Sequence, residues 1–199
     1  MLKIGLTGGI GTGKSIVSQM LIASGIKVLD ADLISKEVLK IYPEILEKVR
    51  IEFGDGYFDW RGEFRRKEFG NQIFRFPKLR KKYEEIIMPY IKKEIFLALE
   101  RYENNNTKVV VLDAPTLIEN NLHGDMDYVI LVWADTNTQI QRIKGRDRLS
   151  QSDAVSRINS QMSAEEKKEF ANMIINNNGD ISNTKAQVDE LIQFIKKLS

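Results

Sequence analysis

The sequence predicts an α/β fold: a five-stranded, mainly parallel sheet flanked by helices, interrupted by a helical domain and a helical lid. Three observations carry this. Two unbroken apolar runs, "TKVVVLD" (107–113) and "MDYVILVWAD" (126–135), have the pattern of strands buried on both faces. Helical stretches separate the strand candidates, so the connections are crossovers and the strands run parallel. A glycine-rich loop within "GLTGGIGTGKSIVSQML" (5–21) joins the first strand to the first helix.

The elements follow in order. Residues 2–6, "LKIGL", form a short strand that enters the glycine loop. Over 14–24, Ile16, Val17, Met20, Leu21 and Ile22 recur near helical spacing, and Gly25 ends that helix. "IKVLDAD" (26–32) is the second strand. Residues 33–105 are helical by pattern, with a loop at "FGDGYFDWRGEF" (53–64). A long helix is expected over 77–103, where Leu79, Tyr83, Ile86, Ile87, Tyr90, Ile91 and Ile95 repeat, and Pro89 should kink or divide it. The third and fourth strands are the two apolar runs, and "FANMIINN" (170–177) is a weaker fifth. Residues 138–168 are polar, charged and helical, the composition of a mobile flap. The expected organisation is a sheet core (1–32, 107–137 and 169–199), a helical insertion (33–106) and a lid (138–168).

Composition narrows the chemistry. With 199 residues, 42% hydrophobic and 29% charged, the chain reads as a soluble globular protein with room for one substantial core. A net charge of +2 is too small to predict a nucleic-acid or membrane partner. The absence of cysteine excludes disulfides and thiolate chemistry, and the single His123 excludes a histidine-rich metal site. The "MLKIGLTGG" start lacks a secretory pattern and no apolar stretch is long enough to span a bilayer, so a cytoplasmic location is expected.

Gly8 to Ser15 fits G-x-x-x-x-G-K-[S/T], after a predicted strand and before a predicted helix. Its glycines, Gly9, Gly11 and Gly13 among them, let backbone N–H groups wrap a phosphate, and the helix N-terminus adds its positive end. Thr12 and Ile16 complete the loop. Lys14 brings a full charge to the β- and γ-phosphates of a nucleoside triphosphate, and the Ser15 hydroxyl can ligate Mg²⁺. Two carboxylates sit at strand ends, where ligands bind in such sheets. Asp32 suits a proton acceptor for an attacking hydroxyl, and equally an N-cap for a helix starting near Leu33; Asp30 is an alternative acceptor. Asp113 suits an acid that holds Mg²⁺, or a plain Asp-Ala-Pro turn. The basic run "QRIKGRDR" offers Arg142 and Arg146, four apart, as lid arginines over the phosphates, or a solvated helix face; the near-neutral charge argues against a nucleic-acid patch. Trp60 and Trp133 read as structural and His123 as a surface residue.

Nearly end to end, the chain resembles the dephospho-coenzyme A kinases, in "IGLTGGIGTGKS" (4–15), "VLDADLISKEV" (28–38), "FRRKEFGNQIF" (64–74), "VVLDAPTLIE" (110–119), "RLSQSDAVSRINSQMSAEEK" (148–167) and "IINNNG" (174–179). The phosphate loop is common to many folds; the other elements together are specific. The resemblance implies a P-loop kinase core with a helical coenzyme-A domain and a lid, and ATP-dependent phosphorylation of the ribose 3′-hydroxyl of dephospho-coenzyme A. It implies that Asp32 takes the proton, that Arg142 lies near the phosphates, and that Asn177 and Gly179 lie near adenine. It also implies that Arg66 faces the acceptor, as do Asp113, Pro115 and Leu117 of the Asp-x-Pro-x-Leu-x-Glu element. A monomer or weak homo-oligomer is expected, acting on a small molecule. The chain departs from the family at Met88 (usually His), Arg65 (Asp), Asn172 (Asp), Thr116 (Leu) and Ile16 (Thr). These departures bear on the acceptor side and on turnover, and leave phosphate binding untouched. Two other readings are a kinase for another small acceptor, such as a nucleoside monophosphate, and a nucleotide-dependent regulatory module.

Overall fold

The computed structural model describes Met1–Leu198, apart from the side chain of Phe74. The chain divides into two compact units, Met1–Asp30 with Ala98–Ser199, and Ala31–Leu97.

The first unit is built on five parallel strands: β1 (Leu2–Thr7), β2 (Lys27–Asp30), β3 (Val109–Asp113), β4 (Tyr128–Trp133) and β5 (Met173–Asn176), in the order β2-β3-β1-β4-β5. The strands are shorter than the apolar runs suggest, because flanking residues such as Thr107 and Asp135 serve turns and caps. Leu6 pairs with Asp113 and Asp30 with Asp113, so β1, β2 and β3 end level. Every residue of β3 is buried, as its β-branched run requires.

Alternation along the strands sends two sets of side chains to opposite faces. Ile4, Leu6, Val109, Val111, Ile130, Val132 and Ile175 pack with Val17 and Leu21 of α1 (Lys14–Ala23) and with Val188, Leu191, Ile192 and Ile195 of α9 (Ile181–Leu198). The alternate residues Val110, Leu112, Val129 and Leu131 are also buried, as are Leu117, Ile118 and Leu122. At about 1.5–3 kcal/mol for each fully buried aliphatic side chain, these faces outweigh the strained and charged features of the phosphate loop, which cost about 1–3 kcal/mol each.

Three helices lie between β4 and β5: α6 (Thr136–Asp147), α7 (Gln151–Asn159) and α8 (Ala164–Lys168). Each starts on a side-chain cap. The Asp135 carboxylate accepts from Thr138 N, and Ser150 Oγ accepts from Asp153 N. Ser163 and Glu166 form a reciprocal capping box.

The second unit holds α2 (Ala31–Ile41), α3 (Glu44–Phe53), α4 (Arg66–Arg75) and most of α5 (Pro77–Asn104). Its core is aromatic: Phe69, 2% exposed, meets the rings of Phe53, Tyr57, Phe64 and Tyr83 at 5.0–5.1 Å. Pro89 does not divide α5, which runs through it unbroken. Pro89 and Glu85 are exposed, so the carbonyl that the proline ring leaves without a donor faces water. Trp60, read as structural, is 85% exposed beneath the Arg61 guanidinium, in a turn that the Asp59 N–H closes on the Glu63 carbonyl. Trp133 is half-buried at the end of β4, with Lys168 Nζ 4.8 Å from its ring centre.

Candidate active site

Thr7 ends β1 and α1 begins at Lys14, so Gly8–Gly13 must reverse the chain within six residues. Two glycines make this possible. A Cβ on Gly8 would lie 2.7 Å from the Val132 carbonyl oxygen and 2.8 Å from Thr12 Oγ1. Gly13 sits at φ +87°, in the left-handed region, and a Cβ there would run into the Asn177 amide. No side chain caps α1, so its N-terminus presents main-chain N–H groups and the positive end of the helix. We expect Gly13→Ala to cost about 1–3 kcal/mol of stability and to abolish nucleotide binding. Thermal melting and nucleotide titration check both, and wild-type affinity in the variant would contradict it.

Lys14 is bonded to Asp113, at the end of β3, with side chains 13% and 7% exposed. A cation on the loop and a carboxylate on the neighbouring strand thus share one nearly dry spot. Ser15 and Ile16 are exposed on the first turn of α1. Thr12 is 1% exposed and its hydroxyl donates to the Gly9 carbonyl at 2.8 Å. Its side chain braces the loop from within.

Arg142 of α6 lies against the same loop. Its guanidinium donates to the carbonyls of Gly11 (3.4 Å), Thr12 (3.3 Å) and Asn177 (2.8 Å). Asn177, 2% exposed, donates to the Thr12 carbonyl at 2.7 Å and accepts from Thr184 Oγ1 at 2.6 Å. Both ends of its side-chain amide are therefore occupied in clamping the loop. Gly179 follows at φ +76°, exposed. Arg146 does not act with Arg142. It pairs with Asp147 at 2.7 Å, and Arg157 meets the same carboxylate at 3.1 Å. Arg146 first, and then Arg157, hold the Asp147 pKa below the usual carboxylate range.

Beyond β3, the Pro115 carbonyl accepts from Thr7 Oγ1 at 3.1 Å. Leu117 was expected at the acceptor and is instead a core residue, 0% exposed, with its methyls lying where a Gly5 side chain would be. The turn after Asp113 brings its methyls against Gly5 of β1. Thr116 accepts from Asn120 Nδ2 at 2.8 Å, a local turn bond. Asn172 exchanges two bonds with Val129, through its N–H (2.9 Å) and its Oδ1 (2.7 Å). An aspartate would accept the same Val129 N–H, so this departure leaves the β4–β5 junction intact.

In the second unit, Asp32 is exposed in the first turn of α2. It is not the N-cap, because the helix already starts at Ala31. Arg66, the first residue of α4, is exposed and donates to the Ser35 carbonyl at 3.5 Å. Burial raises the pKa of the neighbouring Tyr83 phenol, and Arg66 opposes that. Arg65 precedes α4 and pairs with Glu68 at 3.3 Å.

Three residues of the site, Gln139, Gln161 and Lys167, carry no signal in composition or spacing. Gln139 is 5% exposed, and Gln161 Oε1 accepts from Ile10 N at 2.8 Å. Lys167 is 0% exposed, donates to the Pro115 carbonyl at 2.6 Å and pairs with Glu119 at 3.0 Å. Burial pushes the Lys167 pKa below the ordinary lysine value; Glu119 pulls it up, and Lys14 adds to the lowering. The Ser163-x-x-Glu166 box marks the start of α8, but nothing in a polar run marks which lysine turns inward. His123, expected at the surface, is half-buried against Phe170 with ring centres 4.9 Å apart, and its Nδ1 is buried.

Comparison with known proteins agrees with this geometry. The family model described as CoaE, dephospho-CoA kinase, matches residues 2–183. A dephospho-CoA kinase of Clostridium perfringens is 59% identical over 194 residues, covering 98% of each chain. One from Clostridium tetani is 48% identical over 198 residues, covering 99% of this chain and 87% of the other. The structure of the dephospho-CoA kinase from Campylobacter jejuni superposes with a TM-score of 0.72 at 25% identity, over 98% of this chain and 97% of that one. A loop built for phosphate, a sheet in the order β2-β3-β1-β4-β5 and matches over nearly the whole length converge, and the chain belongs to the dephospho-CoA kinase family.

Proposed function

We propose that the chain transfers the γ-phosphoryl group of ATP to the ribose 3′-hydroxyl of dephospho-coenzyme A, giving coenzyme A and ADP. The observation that carries this reading is the Lys14–Asp113 pair at the mouth of a glycine loop, within a chain of this family. Lys14 exchanges Asp113 for phosphate oxygens when the nucleotide enters, and the N–H groups at the start of α1 take the remaining charge. That exchange frees the Asp113 carboxylate. Asp32 accepts the hydroxyl proton as the oxygen attacks phosphorus. The transition state is loose, so positioning and charge neutralisation supply most of the acceleration.

Mg²⁺ belongs to this reading. Among the described residues no group of three or more His, Cys, Asp or Glu is placed to hold a metal. The ion would therefore draw most of its ligands from phosphate and water, with the Ser15 hydroxyl and the Asp113 carboxylate as protein donors. That all-oxygen set suits Mg²⁺. When bound, it neutralises charge on the β- and γ-phosphate oxygens.

A small-molecule substrate and a cytoplasmic setting belong to the same reading. No described helix is long and apolar enough to cross a membrane. Mass spectrometry of products after incubation with MgATP and dephospho-coenzyme A tests the proposal. We expect ADP and a product heavier by one phosphoryl group. ADP with a phosphorylated nucleoside monophosphate from a mixed panel would move the acceptor, and slow ATP hydrolysis with no phosphorylated product would overturn the kinase reading.

A further inference from the structure

Lys167 has no part in the chemistry so far described, yet it is a fully buried lysine beside the phosphate site. A methionine of similar length would pack there without the cost of removing an ammonium from water, and buried ion pairs are often no more stable than apolar replacements. Stability alone therefore does not account for the charge.

Its bonds suggest what does. The ammonium donates to the Pro115 carbonyl, two residues beyond Asp113, at 2.6 Å. Thr7, the last residue of β1, donates to the same oxygen at 3.1 Å. One carbonyl thus ties the strand that feeds the phosphate loop to the loop that follows Asp113. Lys167 also pairs at 3.0 Å with Glu119 Oε1, and that oxygen accepts from Met162 N at 3.3 Å. Among the described residues the second oxygen, Oε2, is buried without a hydrogen-bond partner. So Lys167 is what holds a partly buried carboxylate, its side chain 22% exposed, to which Met162 is attached. The residue before Met162 is Gln161, and its side-chain oxygen accepts from Ile10 N, at the tip of the phosphate loop, at 2.8 Å. A single connected path runs from Lys167 to both halves of the site.

We propose that Lys167 is a positioning residue for phosphoryl transfer. Through Glu119 it holds Gln161 against the tip of the phosphate loop, and through the Pro115 carbonyl it fixes the loop beyond Asp113. The proposal rests on the kinase reading above. Without the ammonium, Glu119 loses its charge partner and turns toward water. Met162 and Gln161 go with it, and Ile10 N is released. The loop amides then meet the phosphates in several arrangements, and the loss falls on the transition state more than on nucleotide binding.

The test uses the full chain. Lys167→Met leaves a partly buried carboxylate unpaired, so it is combined with Glu119→Gln, which removes that penalty. We expect the double variant to melt within a few degrees of wild type, with kcat lowered about tenfold and KM for MgATP within about threefold. Gln161→Ala alone should lower kcat to a similar extent. Added to the double variant it should lower kcat no further, because the two changes act on one path. Wild-type kcat in the double variant would overturn the proposal, as would a fully multiplicative loss in the triple variant. A double variant that does not fold would make Lys167 a stability element and overturn it too. A wild-type chain inactive on every acceptor sinks both readings, whereas an active wild type with an unaffected variant sinks only this one.

Discussion

Asp32→Asn is expected to lower turnover by about 10²–10⁴-fold while nucleotide affinity stays close to wild type. The amide keeps the size of the carboxylate and loses its ability to accept a proton from an attacking hydroxyl. Asp32 is exposed in the first turn of α2, where a negative charge gains only about 0.3–1 kcal/mol from the helix end. The fold therefore survives the change, and a lost rate reports on chemistry. Steady-state ADP release gives the first quantity, and titration with a nucleotide gives the second. Turnover within about twofold of wild type would remove Asp32 from the mechanism. Asp30→Asn separates the two carboxylates of the element: Asp30 ends β2 level with Asp113. A larger loss there would move the proton acceptor by two residues.

Lys14→Met should act on stability and on rate, for separable reasons. Lys14 is the ion-pair partner of Asp113, whose side chain is 7% exposed. Removing one member of such a pair costs about 3–5 kcal/mol, because the other charge is left buried. For a chain of this size that is a fall in Tm of about 6–20 °C. Turnover should fall by a further 10²–10³-fold or so, the usual loss when one preorganised charge contact to the reacting group is removed. The double change Lys14→Met with Asp113→Asn removes the buried charge, so the melting temperature should recover while turnover does not. Recovery of both would mean that Lys14 serves only the fold. A single variant with unchanged Tm would mean that the Lys14–Asp113 pair has no energetic weight.

The elements that were legible in the sequence are those whose physics is local. A β-branched run such as Val109–Asp113 is buried on both faces wherever it sits in a parallel sheet. Glycines at 8 and 13 followed by Lys-Ser can serve one backbone path, and the structure supplies the reasons: a carbonyl 2.7 Å away at one and a left-handed φ at the other. Where local rules compete, the reading was wrong or open. Pro89 reads as a kink or a break; on an exposed face it leaves α5 undivided. Leu117 reads as part of an acceptor-facing motif and is core, because the turn after Asp113 brings it against Gly5 of β1.

By itself, then, the sequence determined the strand and helix succession, the phosphate loop and the family, since all three depend on residues close together in the chain. Tertiary structure decided how the charges are partnered. Lys14 finds Asp113 across 99 residues, Arg142 closes on the carbonyls of Gly11 and Thr12 from 130 or more, and Lys167 is buried rather than solvated. A lysine or arginine in a polar run looks the same whether it points to water or into the protein. Its free energy in the two settings differs by several kcal/mol, set by neighbours that only the folded chain brings within reach.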